Sequence, residues 1–349
     1  MSFTKLHYKT NFEPPDSWSR INTIDMHTGG EPLRVLISGL SELRGSNILE
    51  YRRDMMDHYD YIRTAIIHEP RGHKDMYGCI IVPPNDSEAD FGILFMHNEG
   101  YSTMCGHAII AITKLAVMLK WVPTTGSITK VTIDAPCGRI YSYARIEGAD
   151  VISVYFDCVP SFVLHLNQTI RIPGQGDVNY DISYGGAFYA YVDADKQGID
   201  LNAVSVSEIT DLGMSIKQAI IAKGPQIAHP YEADLSFLYG TIFYSRYSGA
   251  ADSKNVCVFA DGEVDRSPTG SGVAGRMALH WTRREIAMNS KLHVESIAGS
   301  VFTGSIVRTL DYGPYQAVIP RIEGNAYIVG KNEFLIDPSD PMKHGFIIN

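Results

Sequence analysis

The chain has 349 residues, 45% of them hydrophobic and 20% charged, which suits a soluble globular protein long enough for two domains. Its formal net charge is −9 and it has no dense Lys/Arg run, so nucleic acid and anionic membranes are poor partners, because phosphate binding needs basic patches. The N-terminus lacks the apolar stretch of a signal peptide, and the most apolar helical run, around residues 107–119, is interrupted by Lys114. We therefore expect a cytoplasmic protein without nucleic-acid or membrane partners.

Strand-like segments dominate the chain; they are rich in Val, Ile, Tyr, Phe and Thr and are bounded by Gly, Pro, Asn or Asp. The predicted strands are 21–27, 61–68, 78–84, 91–97, 127–135, 139–147, 152–159, 187–194, 219–222, 238–245, 255–260, 305–310, 315–324 and 326–336. The predicted helices are 107–121, 206–220 and 272–286. This order indicates an α+β protein with one strong helix in each half.

The cysteines argue against a disulfide framework and against a cysteine-rich zinc site. There are five of them, widely spaced and without a CxxC pair, namely Cys79, Cys105, Cys137, Cys158 and Cys257. Each is expected to be a small buried hydrophobic residue. Only Cys105 has a sequence context that suggests chemistry.

Two short stretches, one in each half, follow the same pattern. Cys105-Gly106-His107 and Thr269-Gly270-Ser271 each continue into small and apolar residues at helical spacing, 164 residues apart. A spacing near half the chain length suggests two similar domains that face each other. The alternative is chance, since a glycine followed by small residues is a common way to open a helix.

Both stretches could bind an anion, because the start of a helix presents unpaired N–H groups and the positive end of the helix dipole. Two such ends facing each other could hold one carboxylate. The same field is expected to lower the pKa of Cys105 and favour a thiolate base. Thr269 cannot ionise in a useful pH range, although it can form a hydrogen bond or hold a water.

His107 and Asp265 are candidates to contact a bound ammonium group. The alternatives are a polar residue in a first helical turn for His107 and a turn residue paired with Arg266 for Asp265. A metal site at Asp25 and His27 is less favoured than a plain turn between strands. The chain has no HExxH, no Rossmann fingerprint, no phosphate loop and no GxSxG elbow.

Five blocks of this sequence together resemble the proline racemase family. They occur in the family's order and span most of the chain: DMHTGGEPLRV (25–35), MCGHAIIAI (104–112), SYGGAFYAYVDA (183–194), DRSPTGSGV (265–273) and GNAYIVGKNEFLIDPSDP (324–341). The resemblance implies the diaminopimelate epimerase-like fold, with two similar domains, each a curled sheet around a central helix, and a site in the cleft between them. It also implies a small cyclic imino acid as substrate and catalysis without a cofactor, neither pyridoxal phosphate nor metal.

The sequence departs from the racemase pattern at Thr269, where the family's racemases carry a second cysteine. A hydroxyl is a very poor acid or base at neutral pH, so two-base racemisation should be crippled. The Cys/Thr pair resembles the branch that dehydrates trans-3-hydroxy-L-proline to Δ1-pyrroline-2-carboxylate. In that substrate the C2 hydrogen and the C3 hydroxyl lie on the same ring face, so one base is sufficient for a syn elimination.

The resemblance assigns roles to the residues of both turns. Cys105 is the expected base and Thr269 lines the opposite face; Asp265 and His107 hold the ring nitrogen; the amides of Gly106, His107, Gly270 and Ser271 bind the carboxylate. Tyr101 is expected either to line the apolar side of the ring or to be an ordinary core tyrosine. Related folds imply a first domain of residues 1–162 plus about 338–349, and a second domain of residues 163–337.

Three alternatives to the dehydratase remain open at this point. They are a proline or 4-hydroxyproline racemase or epimerase, a non-catalytic amino-acid-binding member of the family, and an isomerase of the same fold that acts on another carboxylate. The sequence does not specify an oligomeric state, and a homodimer is compatible with it.

Overall fold

The computed structural model describes residues 12–224, 226–246 and 251–348. Its α-helices are α1 (Ile48–Asp54), α2 (Asp60–Ile67), α3 (Gly106–Met118), α4 (Val206–Lys223) and α5 (Gly270–Thr282). Its strands are β1 (Ser19–Thr28), β2 (Glu31–Ser38), β3 (Tyr77–Val82), β4 (Phe91–His97), β5 (Gly100–Ser102), β6 (Ile128–Ala135), β7 (Gly138–Glu147), β8 (Asp150–Asp157), β9 (Phe162–Ile172), β10 (Gly176–Tyr184), β11 (Phe188–Asp193), β12 (Leu238–Ser245), β13 (Ser253–Phe259), β14 (Glu263–Val264), β15 (Leu292–Glu295), β16 (Val301–Tyr312), β17 (Tyr315–Gly324) and β18 (Ala326–Ile336). The predicted α+β class is confirmed.

Strand pairing repeats the same order in the two halves. The first half runs β18-β1-β2-β3-β4-β6-β7-β8, and the second runs β9-β10-β11-β12-β13-β15-β16-β17. In both, the third and fourth strands pair in parallel, as do the fifth and sixth. Strands β8 and β17 pair antiparallel and join the halves into one ladder. The short β5 and β14 occupy equivalent places beside β4 and β13.

Each half packs its curved sheet around one apolar helix. Helix α3 contacts β1, β2, β7, β8 and β18, whereas α5 contacts β9, β10, β11, β16 and β17. Both helices are buried on nearly every side, which explains why most of their residues are apolar or small. Among the described residues, no helix has the length and apolar character needed to cross a membrane.

Two predicted strands are wrong, because their residues form helices. Of the predicted strand 61–68, residues 61–67 fall in α2, where the buried Ile62, Ala65 and Ile66 recur at helical spacing. Residues 219–222 form the end of α4, whose buried positions continue through Ile220 before the helix stops at a left-handed glycine. In both segments the β-branched content suggested a strand, but packing against the sheet favours the helix.

The division into domains at residues 162 and 337 remains a prediction. Strand β18 pairs along its length with β1 and contacts α3, and it occupies in the first half the place that β9 has in the second. We therefore propose that the chain returns to the first domain between β17 and β18, near residue 325. Residues 1–11 and 349 of the predicted first domain lie outside the described residues.

Candidate active site

The N-termini of α3 and α5 meet between the two halves. Cys105 is the N-cap residue of α3, and Thr269 is the N-cap residue of α5. Gly106 and Gly270 touch backbone to backbone: a Cβ atom on Gly106 would lie 2.5 Å from the Gly270 Cα. Glycine is needed at both positions because any side chain would push the helices apart. The two N-cap residues of the predicted repeat therefore lie next to the place where α3 and α5 meet.

A small cavity opens at this meeting point. It is lined by all seven predicted site residues, Cys105, Gly106, His107, Asp265, Thr269, Gly270 and Ser271, together with Tyr77, Met104, Tyr189, Tyr239 and Phe259. The free volume of about 20 Å³ is roughly that of one water molecule. A ring-sized ligand can enter only if the two halves, or the aromatic side chains of the lining, move apart. We call this space the active-site cavity.

Cys105 is buried beside a histidine at the bottom of the cavity. Its Sγ lies 3.2 Å from Nδ1 of His107. Burial raises the pKa of the Cys105 thiol well above its usual value; the Ala108 amide opposes this shift, and the charge of Asp265 adds to it. The expected lowering of the Cys105 pKa is thus wrong for the closed cavity, because loss of water outweighs the field of one helix end.

His107 is neutral at physiological pH. Burial lowers its pKa to about 3, although the nearby backbone carbonyl of Pro32 acts in the opposite direction. The ring also packs edge-on against Tyr77, with 4.9 Å between the ring centroids. A neutral imidazole offers one donor and one acceptor. His107 can therefore orient Cys105 or a bound ligand, but it does not supply a positive charge to a thiolate.

Thr269 adopts a backbone conformation that is rare for its residue type. Its φ is 64°, in the left-handed region that β-branched residues seldom enter. The turn is held by two hydrogen bonds: the Thr269 N–H donates to Ser267 Oγ at 3.1 Å, and Asn255 Nδ2 donates to the Pro268 carbonyl at 3.1 Å. The Thr269 hydroxyl is buried and makes no hydrogen bond of normal geometry. Such strain persists only where the surroundings enforce it, typically at functional sites.

Asp265 has a buried carboxyl neighbour that sequence reasoning missed. Burial raises the pKa of Asp265 to about 6, while its Oδ1 accepts the Ser267 N–H at 2.7 Å. Glu31, at the start of β2, is fully buried; its Oε2 accepts the Arg266 N–H at 2.7 Å, and its Oε1 has no partner. Burial, and next the charge of Asp265, raise the Glu31 pKa well above its usual value. The sequence signal that could have identified Glu31 is its position directly after the Gly29-Gly30 turn.

Aromatic residues form the rest of the lining, and sequence reasoning missed them too. Tyr77, Tyr239 and Phe259 cluster, with the Tyr239 and Phe259 centroids 5.5 Å apart, and the Tyr189 hydroxyl pairs with Ser271 Oγ at 2.9 Å. In sequence they were indistinguishable from core residues of strands. The expectation that Tyr101 lines the apolar side of a substrate ring is wrong: its side chain lies near the Arg63 guanidinium, outside the cavity.

Asp25 and His27 lie apart from this cavity. Asp25 pairs with Arg34, with 2.7 Å between Oδ2 and Nη2, and His27 stacks on Tyr327. Within the described parts of the chain, no cluster of three or more His, Cys, Asp or Glu side chains is placed to hold a metal ion. All five cysteines are unpaired and buried.

Comparison with known proteins decides the family. The sequence model described as proline racemase matches residues 23–347. This chain belongs to the proline racemase family. Among solved structures, a hydroxyproline epimerase from Agrobacterium vitis with bound trans-4-OH-L-proline superposes with a TM-score of 0.88, at 25% identity, over 95% of this chain and 96% of that one. The predicted diaminopimelate epimerase-like fold is thereby confirmed.

Two curated family members are more similar in sequence. A trans-3-hydroxy-L-proline dehydratase from Colwellia psychrerythraea is 47% identical, over 95% of this chain and 94% of that protein. The human trans-3-hydroxy-L-proline dehydratase is 42% identical, over 94% of each chain. Both similarities extend across the two halves, and so include both N-cap turns.

Replacing Glu31 by glutamine in this family member should stabilise it increasingly as the pH rises. The pKa of Glu31 in the folded protein is raised above the unfolded value of about 4.3. The free energy of unfolding that Glu31 contributes is therefore fully present below about pH 4.3 and is lost as the pH rises through the folded-state pKa. Glutamine keeps an oxygen for the Arg266 N–H but cannot ionise. Thermal unfolding at pH 5 and pH 8 should therefore show a larger gain in Tm for Glu31→Gln at pH 8.

The matched control is Glu147→Gln, which removes an exposed carboxyl at the last residue of β7. Its Tm difference from the parent protein should stay nearly constant between the two pH values. A Glu31→Gln difference that is equally flat would mean that Glu31 is ionised in the folded protein, contrary to the assignment above.

Proposed function

We propose that this chain dehydrates trans-3-hydroxy-L-proline to Δ1-pyrroline-2-carboxylate, with Cys105 as general base. The observation that carries the proposal is that one thiol and one hydroxyl, Cys105 and Thr269, cap the two helices that meet at the active-site cavity and both line it. Only one face of a bound ring then meets a group that can move a proton. The names of the two curated relatives support the same reaction.

The substrate carboxylate would lie where the two helices meet. The amides of Gly106 and His107 from α3, and those of Gly270 and Ser271 from α5, belong to first helical turns whose N–H groups have no partner within the helix. They would also stabilise the negative charge that spreads onto the carboxylate when the α-proton leaves. Glycine at the first position of both helices lets the backbone come this close to a ligand.

The ring nitrogen would lie between Asp265 and His107. At neutral pH Asp265 is largely ionised, because its pKa is about 6, and it can pair with the ring cation. That cation would also offset the negative charge of Asp265 that acts on Cys105. Substrate binding therefore helps to create the thiolate that the closed cavity by itself disfavours.

The elimination would take place on the Cys105 face of the ring. The Cys105 thiolate takes the C2 proton, so that an S–H bond forms as the C2–H bond breaks. The electron pair forms the C2=C3 double bond, and the C3–O bond breaks. The proton on sulfur then passes to the departing hydroxide and gives water, since both groups lie on one face in the trans isomer. The enamine that remains tautomerises to the Δ1 imine.

We propose that no cofactor takes part, since every proton transfer is assigned to a group of the chain or of the substrate. We also propose that the enzyme works in the cytoplasm on a free imino acid. The net charge of −9 supports the absence of a nucleic-acid partner.

The direct test is to incubate the purified protein, without added cofactor, with trans-3-hydroxy-L-proline and to follow the product by mass spectrometry. Loss of one water is the expected result. No loss of water, together with entry of deuterium from heavy water at the α-carbon of proline or 4-hydroxyproline, would instead favour a racemase or epimerase.

Thr269→Cys is expected to create proline racemase activity, seen as D-proline formed from L-proline. The variant places a second thiol across the cavity from Cys105, where it can deliver a proton to the opposite ring face. Cysteine is not β-branched, so the positive φ at this position should be tolerated at least as well as with threonine. Chiral chromatography of the product measures the gain.

Thr269→Val is the matched control, since it keeps the branched shape and loses only the hydroxyl. It should form no D-proline and should retain dehydratase activity within about tenfold, because the far face delivers no proton in the elimination. A loss of dehydration in Thr269→Val comparable to that of a Cys105 variant would show that the hydroxyl does take part.

A further inference from the structure

A buried arginine lies in α5, two helical turns beyond the active-site cavity. Arg276 is 2% exposed. Seven residues of an α-helix make about two turns and span about 10 Å, so Arg276 lies on the same face of α5 as its N-cap residue, Thr269. The function proposed above gives Arg276 no part.

The groups that Arg276 contacts are neutral. Its Nη1 donates to Ser253 Oγ and to Asn255 Oδ1, both at 2.8 Å, and its Nη2 donates to His280 Nε2 at 3.1 Å. Burial lowers the pKa of His280 to about 4, so this imidazole is neutral at physiological pH and its Nε2 can accept. None of these partners is a carboxylate.

Arg276 nevertheless keeps its charge inside the protein. Burial lowers its pKa to about 10, which leaves the guanidinium protonated at physiological pH. The Tyr244 ring lies 4.6 Å below the guanidinium carbon and gives partial compensation. An apolar side chain of similar volume would fill this space at a lower desolvation cost. What arginine adds here is a set of N–H groups in fixed directions.

One of those directions fixes how the Asn255 side-chain amide is turned. Asn255 lies in β13 and is fully buried. A guanidinium can only donate, so the Asn255 atom that faces Arg276 must be the acceptor Oδ1. The Nδ2 group then points the other way, where it donates to the Pro268 carbonyl at 3.1 Å. The reverse orientation would place donor against donor and acceptor against acceptor.

The Pro268 carbonyl belongs to the peptide group that leads into Thr269. The N–H of the same peptide group donates to Ser267 Oγ at 3.1 Å, so both of its polar atoms are held by side chains. The next carbonyl, that of Thr269, accepts the Val273 N–H at 2.7 Å and begins α5. The positive φ of Thr269 is thus enforced directly before the helix start. We call residues 265–269 the Thr269 turn.

We propose that Asn255 and Arg276 are positioning residues, which hold the Thr269 turn so that the first N–H groups of α5 and the Thr269 side chain face the substrate. Neither residue lines the active-site cavity, so both act through the turn. The two hydrogen bonds of the Asn255 amide, one to Arg276 and one to Pro268, carry the proposal. It rests on the proposed function for the reaction that is affected.

The variant Asn255→Asp separates the turn from the rest of the fold. Aspartate has the shape of asparagine and keeps an oxygen for Arg276, with which it forms an ion pair, so the Tm should stay within about 3 °C of the parent value. Its second oxygen cannot donate to the Pro268 carbonyl and repels it. We therefore expect kcat/KM for trans-3-hydroxy-L-proline to fall about tenfold or more, because small displacements at a catalytic site strongly lower the rate.

Variants of Arg276 test the other end of the same connection. Arg276→Met removes every donor, so the Asn255 amide is no longer oriented and kcat/KM should fall about tenfold. Arg276→Lys keeps a donor for Asn255 Oδ1 and should recover part of the loss. The matched control is Arg283→Met: Arg283 directly follows α5, at the opposite end from the Thr269 turn, and pairs with Asp181 at 2.7 Å. Its kcat/KM should stay within about threefold of the parent value even where its Tm falls.

Hydrogen exchange of the ligand-free protein keeps this test separate from that of the proposed function. The N–H groups of Ser267, Thr269 and Val273 are hydrogen-bonded within the turn and at the helix start, so their exchange reports on the turn without any substrate. Their exchange should be about tenfold faster or more in Asn255→Asp and Arg276→Met, and unchanged in Arg283→Met.

Parental exchange rates in Asn255→Asp and Arg276→Met would overturn the proposal, and so would faster exchange together with an unchanged kcat/KM. Faster exchange in a protein that removes no water from trans-3-hydroxy-L-proline would contradict the proposed function and leave the connection from Arg276 to the Thr269 turn in place.

Discussion

Cys105→Ser should lower kcat for dehydration of trans-3-hydroxy-L-proline by about 10³-fold or more, while the protein remains folded. General acid–base catalysis by one side chain typically contributes 10²- to 10⁴-fold, and Cys105 would serve twice, as base for C2 and as acid for the hydroxide. A serine hydroxyl has nearly the shape of the thiol but a far higher pKa. Steady-state kinetics with both proteins at one pH measures the effect.

The buried position of Cys105 makes this substitution especially severe. Burial already raises the pKa of the thiol, so the thiolate exists only with help from the Ala108 amide and from the ring cation of the substrate. A serine alkoxide could not be reached with the same help. Since only the chemistry is lost, KM should change much less than kcat, and this split would argue against a purely structural defect.

Cys158→Ser is the matched control for Cys105→Ser. Cys158 is another buried cysteine; its Sγ donates to the Gly185 carbonyl at 3.6 Å, and it does not line the active-site cavity. Serine can keep that hydrogen bond, so kcat should stay within about threefold of the parent value. Turnover by Cys105→Ser at the parent rate would rule out the assigned base.

Gly106→Ala should lower kcat/KM by about 10²-fold or more, since the added methyl group forces the two halves apart. The new Cβ would lie 2.5 Å from the Gly270 Cα and 3.0 Å from its carbonyl carbon. Backbone atoms cannot rotate away as a side chain can, so the α3 and α5 N-termini must separate. A displacement of about 1 Å at a catalytic site typically lowers the rate 10²-fold. The carboxylate would then lose half of its donors.

Gly330→Ala separates this effect from the general consequence of adding a methyl group. Gly330 lies in β18, where a Cβ would meet its nearest neighbours at 3.7 to 3.9 Å, an ordinary contact distance. Its kcat/KM should stay within about threefold of the parent value. If Gly106→Ala lowered only the Tm and left kcat/KM intact, the close approach of the two helices would have no part in catalysis.

The local sequence pattern predicted the centre of the site well. Cys105 and Thr269 precede a glycine and a run of small or apolar residues, which is sufficient to place each at the start of a buried helix. Local pattern did not predict the secondary structure of segments whose residues suit a strand and a helix equally. An example is α2, whose β-branched residues pack at helical spacing against the sheet.

The sequence by itself determined which groups can react: one thiol, one hydroxyl, a histidine and an aspartate, each tied to a helix start by its neighbours in the chain. Only the tertiary structure decided the pKa values of these groups and which residues lie next to them. Burial raised the pKa of Cys105 and lowered that of His107, and β2 brought Glu31 beside Asp265 from 234 residues away. The physical reason is that desolvation depends on everything packed around a group, and most of those atoms come from distant parts of the chain.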